Sequence, residues 1–111
     1  MKSLKFAPEL VELILKGDKT STWRLFDDKD LQTGDELSFI NKETGAEFGT
    51  GKVTWVSIRT LGTLTDEDWI GHEKFPSEAV MYETYQKYYA CEVVDENTIV
   101  KILTFDFTSN Q

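Results

Sequence analysis

Cysteine is almost missing from this chain: Cys91 is the only one among 111 residues. A single thiol excludes an internal disulfide framework and a multi-cysteine zinc site, and a reducing cytoplasm is the expected compartment. Proline is nearly as scarce, with Pro8 and Pro76 alone, and no proline-rich linker divides the chain. One histidine, His72, leaves too few imidazoles for a zinc centre, so no metal and no cofactor are expected. No apolar run approaches the ~20 residues of a membrane-spanning helix, and Met1–Lys5 lacks the apolar stretch of a signal peptide. No membrane partner is expected. Cations are also in the minority, with 12 Lys and Arg against 20 Asp and Glu and a net charge of −8. Sequence-blind binding to long nucleic acid rests on phosphate neutralisation, so this balance disfavours it and no DNA partner is expected. A local basic pocket on an acidic surface remains compatible with it.

What is present suffices for a core: 40% of the residues are apolar and 13% aromatic, in a length typical of one domain spanning 1–111. Leu4 and Phe6 suggest an opening strand. Pro8 suits the first turn of a helix, and Leu10, Val11, Ile14 and Leu15 recur on one stripe up to Lys16. Gly34-Asp35 opens a strand in which Leu37 and Phe39 alternate with polar residues, and Lys42-Glu43-Thr44-Gly45 reads as a hairpin. Phe48–Leu61 returns as a long strand with Val53 and Trp55 facing one way; Gly49 and Gly51 mark a bulge or bend. Thr65 caps an acidic helix start that ends at Gly71, and Pro76-Ser77 opens a third helix with Met81, Tyr85 and Tyr88 on one stripe. Thr98–Phe107 closes as a strand with Ile99, Leu103, Phe105 and Phe107 on one face, and Val93-Val94 is positioned to pair with it as a hairpin. The sum is an α+β, mainly β fold: a small closed or nearly closed barrel with about three flanking helices.

The densest chemistry lies in Gly17-Asp18-Lys19-Thr20-Ser21-Thr22-Trp23-Arg24. Gly17 reads as a helix C-cap, and Thr20–Leu25 as a strand with Thr20, Thr22 and Arg24 on one face and Ser21 and Trp23 on the other. Lys19, in the turn, is free to bend toward Thr22 and Arg24. On residues alone, Thr20 and Thr22 also read as ordinary strand residues and Lys19 as a solvated cation. Arg24 suits a phosphate or carboxylate, and equally a partner among Asp27, Asp28 and Asp35. Trp23 and the tyrosines 85, 88 and 89 read first as core.

The run Leu15-Lys16-Gly17-Asp18-Lys19-Thr20-Ser21-Thr22-Trp23-Arg24, the later Gly34-Asp35, Leu64-Thr65-Asp66-Glu67-Asp68, Gly71-His72-Glu73 and Lys101–Phe105 together resemble the ASCH domain family. The resemblance covers Leu4 to Phe105. It implies a PUA-like β-barrel with a cleft beside the signature segment, and RNA or a modified nucleoside as partner. Some bacterial members are small amidohydrolases that deacetylate N4-acetylcytidine with a lysine, a threonine and a glutamate. Lys19 and Thr22 match the first two. Glu73 is the nearest carboxylate for the third, with His72 beside it as the alternative occupant. The implied catalytic set is Lys19, Thr22 and Glu73, with Arg24, Thr20, His72 and Tyr88 binding substrate. A binding module without turnover and a ribonuclease are the alternatives. Thr22 is expected to carry an exposed hydroxyl whose removal leaves the fold intact.

Overall fold

A computed structural model of the chain describes residues 1–110. Strand β1 (Lys2–Phe6) runs into helix α1 (Pro8–Lys16), with Pro8 in the first turn, where its missing N–H costs nothing. Gly17 ends the helix in the left-handed conformation, φ 82°, and donates to the Ile14 carbonyl. Val11 and Ile14 are buried, whereas Leu15, expected on the same stripe, is exposed. After β2 (Ser21–Leu25) come β3 (Glu36–Asn41), β4 (Glu47–Thr60), helix α2 (Glu78–Tyr88) and β5 (Ile99–Ser109).

The five strands form one sheet in the order β1-β3-β4-β5-β2, with β1 parallel to β3 and the other neighbours antiparallel. It curls into a half-barrel of the PUA-like kind. Among the described residues β1 and β2 are its free edges, so the barrel is open along one seam rather than closed. Arg24 of β2 bridges that seam. Its guanidinium donates to the Lys5 carbonyl at 3.3 Å and lies 4.9 Å from the centre of the Phe6 ring.

Both faces of the sheet are covered. One carries Leu4, Phe6, Leu37, Phe39, Val53, Leu103 and Phe105 against α1; the other carries Trp23, Leu25, Val100 and Ile102 against Met81 and Tyr85 of α2. Residues paired across a ladder share a face, and Thr22 pairs with Leu103 while Trp23 pairs with Ile102. Thr22 and Trp23 therefore point to opposite sides, as strand alternation requires.

Several local expectations change. The helix expected after Thr65 is a single 3-10 turn, Asp66–Trp69, closed by a Thr65–Asp68 capping box; a second such turn spans Leu61–Thr63. Gly71, at φ 75°, follows too soon for an α-helix to nucleate. The flanking α-helices are thus two, α1 and α2. Val93-Val94 forms no hairpin with β5, because β4 and β2 already occupy both edges of that strand. Val53 and Trp55 do not share a face. The β4–β5 register shifts between them, Thr54 being the extra residue, so Val53 is core and Trp55 is 65% exposed. Ile99 is exposed, and Val100 and Ile102 supply the second core from β5 instead.

Gly49 sits beside a second bulge, where Phe39 pairs with Gly49 but Ile40 with Glu47. Gly51 makes room for a ring: a Cβ there would stand 2.7 Å from the Asp106 carbonyl, in the β4–β5 ladder, and 2.8 Å from the buried Phe39 ring. Gly51→Ala is expected to destabilise the fold by about 1–3 kcal/mol, the usual effect of overpacking, as read from urea unfolding. An unchanged midpoint would show that this core yields freely.

Candidate functional site

The site begins at the end of α1. Beyond Gly17, the Asp18 and Lys19 amides both reach the Leu13 carbonyl, at 2.9 and 3.1 Å, and hold the Lys19 backbone against the helix end. The Thr20 and Ser21 amides then both donate to the Gly71 carbonyl, at 2.8 and 3.1 Å, and the Ser21 hydroxyl reaches the Ile70 carbonyl. Any side chain at position 71 would collide with the Thr20 hydroxyl. Glycine thus permits a close clamp between the start of β2 and the loop after the 3-10 turn. The clamp carries His72 and Glu73 to Lys19.

Lys19 is only 2% exposed, not a solvated turn cation. Its ammonium forms an ion pair and a hydrogen bond with the Glu73 carboxylate, which keeps some access to solvent. Burial holds the Lys19 amine below its ordinary range, and Glu73 pulls in the opposite direction. His72 is buried as well and stacks on Trp23 with ring centres 3.9 Å apart. Its Nδ1–H donates to the Glu73 carbonyl at 2.8 Å, and the Tyr85 hydroxyl donates to its Nε2 at 3.2 Å. Burial, aided by the Lys19 charge, lowers its pKa to about 2, so the imidazole stays neutral. Of the two neighbours, Glu73 is the one whose carboxylate meets Lys19; His72 braces it from the side.

A cavity of about 290 Å³ opens at the seam between β1 and β2. Thr22, Trp23 and Arg24 form one wall, Lys5, Phe6, Ala7 and Leu10 another, and His72 with Glu73 the back. Tyr85, Tyr88 and Tyr89 close it from α2 and its end, and Lys42 stands at the rim, 5.9 Å from the Tyr88 ring centre. Thr22 lies in the wall but is only 4% exposed, so its side chain is not the surface hydroxyl expected from the strand pattern. Of the other candidate residues, Arg24, His72, Glu73 and Tyr88 line the cavity. Thr20 does not, since its side chain packs on Gly71, and Lys19 lies behind Glu73. Trp23 and Tyr85 belong to the core and to the cavity wall at once. Lys5 and Lys42 were not foreseen, because no local pattern links a β1 residue and a hairpin residue to β2.

Two of the three acids that might have neutralised Arg24 are engaged elsewhere: Asp27 with Lys101 at 2.7 Å and Asp35 with Lys2 at 2.8 Å. Arg24 Nε and Trp23 Nε1 are buried without a hydrogen-bond partner among the described residues. Two unmatched donors beside one cavity are what an acceptor-bearing ligand would satisfy. Among the described residues no three His, Cys, Asp or Glu side chains gather as a metal cradle, and no helix is long and apolar enough to cross a membrane.

No protein-family model and no curated protein matches this chain. Solved structures do match. An Enterococcus faecalis protein of the DUF984 family aligns at a TM-score of 0.76 and 13% identity, over 91% of this chain and 71% of its own. The ASCH domain from Lactobacillus crispatus aligns at 0.65 and 18%, over 86% and 68%. The ASCH protein of Zymomonas mobilis aligns at 0.62 and 18%, over 94% of this chain and 65% of that one. The fold is that of an ASCH-like domain.

Two outcomes follow from the buried charges. Removing Glu73 strands an ammonium that has almost no water, whereas removing Lys19 leaves a carboxylate that solvent reaches. Glu73→Ala is therefore expected to destabilise more than Lys19→Met in urea unfolding, by about 1–3 kcal/mol. His72, neutral when folded, binds a proton in the unfolded chain below about pH 6.5, so stability falls as the pH drops through that value. The slope from this one group reaches about 1.4 kcal/mol per pH unit. Unfolding from pH 7 to pH 5 in the native protein and in His72→Gln measures it, and equal slopes would refute it.

Proposed function

We propose that the chain acts as one cytoplasmic ASCH domain, an amidohydrolase that cleaves the acyl group from an N4-acylated cytidine-type nucleoside. The observation that carries this reading is the buried Lys19–Glu73 pair at the back of a small aromatic cavity whose wall includes Thr22. Burial lowers the proton affinity of the Lys19 amine, and the group hydrogen-bonded to it is the Glu73 carboxylate. With that proton passed to Glu73, the pair would hold both a base and an acid.

The step balances. Thr22 Oγ bonds to the acyl carbonyl carbon as its proton passes to the Lys19 amine. The C–N bond then breaks, and the cytosine N4 departs with the proton of Glu73. The pair is left as ammonium and carboxylate. Water next attacks the acyl-threonine ester, releasing the carboxylic acid and restoring the Thr22 hydroxyl. Flat aromatic walls from Trp23 and the tyrosines suit a base ring, and the cavity is at the small end for a ligand site, which favours one nucleoside over a duplex.

One observation favours a second reading, recognition without turnover: Lys19 is not itself part of the cavity wall. Hydrolysis of N4-acetylcytidine separates the two. Under the first reading the native protein turns it over, Thr22→Ser keeps measurable activity, and Thr22→Val loses about 100-fold or more with its circular dichroism unchanged. Binding of the nucleoside without any release of acetate would establish the second.

A further inference from the structure

A chain of net charge −8 places three cations, Lys5, Arg24 and Lys42, around one cavity. Glu73 is the only carboxylate in its wall among the described residues, and Lys19 already neutralises it. Among the described residues Arg24 forms no ion pair with a carboxylate and its Nε is buried and unmatched, while its contacts with Lys5 and Phe6 hold it across the seam. A guanidinium that forms no ion pair with the acids near it, Glu73 and Asp27, and is held across the barrel seam is a preorganised donor fork for an oxyanion. Lys5 and Lys42, both exposed, add mobile charge at the mouth. A neutral nucleoside would leave all three charges unanswered.

The far side of Arg24 differs. There it borders a broader groove lined by Asp27 and Asp95, in which Lys101 is already bound to Asp27. On that side Arg24 and Lys101 are matched by Asp27 and Asp95, so the next phosphate of a polynucleotide strand meets no surplus of positive charge. An anion is thus favoured within the small cavity and not beyond it.

From this asymmetry we infer that the site is built for a terminal phosphate monoester, a single nucleotide rather than a free nucleoside or an RNA strand, with Arg24 as the phosphate clamp and Lys5 and Lys42 as rim cations. The inference rests on the nucleoside reading for the base, but the phosphate clamp stands or falls separately. A monoester carries about −1.5 to −2 charge at neutral pH and supplies three acceptor oxygens, which matches this set better than a monoanionic carboxylate or diester.

Calorimetry with cytidine, cytidine 5′-monophosphate, a cytidine dinucleoside phosphate, ribose 5-phosphate and ribonate tests it. The monophosphate is expected to bind about ten-fold or more tightly than cytidine, the gain of one or two charge-assisted hydrogen bonds. That advantage should shrink from pH 7.5 to about pH 5.5 as the phosphate dianion takes up one proton. It should weaken in Lys5→Ala/Lys42→Ala and vanish in Arg24→Gln. Ribose 5-phosphate binding that depends on Arg24, with neither nucleoside nor nucleotide bound, would keep the clamp and remove the nucleoside reading. Equal affinity for cytidine and its monophosphate, equal affinity for the dinucleoside phosphate or for ribonate, or no binding of any phosphate would overturn the inference.

Discussion

A buried ammonium cannot stand alone, and the architecture around Lys19 follows from that constraint. Its partner, Glu73, lies 54 positions away in sequence. The fold must therefore bring the loop after the 3-10 turn onto the entry of β2 and hold it there. The Gly71 carbonyl, shared by two successive amides of that entry, supplies the hold. His72 then stacks on Trp23 and receives the Tyr85 hydroxyl, which ties the same loop to α2. Four separate elements meet because one charge needs an answer.

The open seam of the half-barrel leaves a cavity beside this assembly. A closed barrel would have paired β1 with β2 and filled the space between them with side chains. Instead the ends of these strands are joined by Arg24 reaching the Lys5 carbonyl, and a cavity remains beside the bridge. Electrostatics is likewise decided locally. The chain is acidic overall, yet Asp27 and Asp35 pair with Lys101 and Lys2, and among the described residues Arg24 forms no ion pair. Net charge describes how the molecule meets solvent and long polyanions; it does not describe the inside of a pocket.

Much of the fold was legible in the chain. Pro8 and Gly17 bracket α1, alternation placed Leu37 and Phe39 in the core, and strand period two put Thr22 and Trp23 on opposite faces. What the pattern of the last strand did not reveal was its second buried face. With α1 on one side and α2 on the other, β5 buries Leu103 and Phe105 as well as Val100 and Ile102. A bulge at Thr54 also turned Trp55 outward, where strict alternation would have kept it with Val53. Bulges and two-sided burial depend on neighbouring strands, and no local window contains those.

The sequence by itself determined the fold class, the bounds of α1 set by Pro8 and Gly17, and the cluster of Lys19, Thr22 and Arg24 on one short segment, because these depend on propensity and periodicity within a few residues. Only the tertiary structure decided that Lys19 is buried, that Glu73 rather than His72 meets it, that Thr20 turns away to pack on Gly71, and that Lys5 and Lys42 join the cavity. Those outcomes turn on solvent exclusion and on contacts between residues far apart in the chain, and both come into being only when the sheet curls.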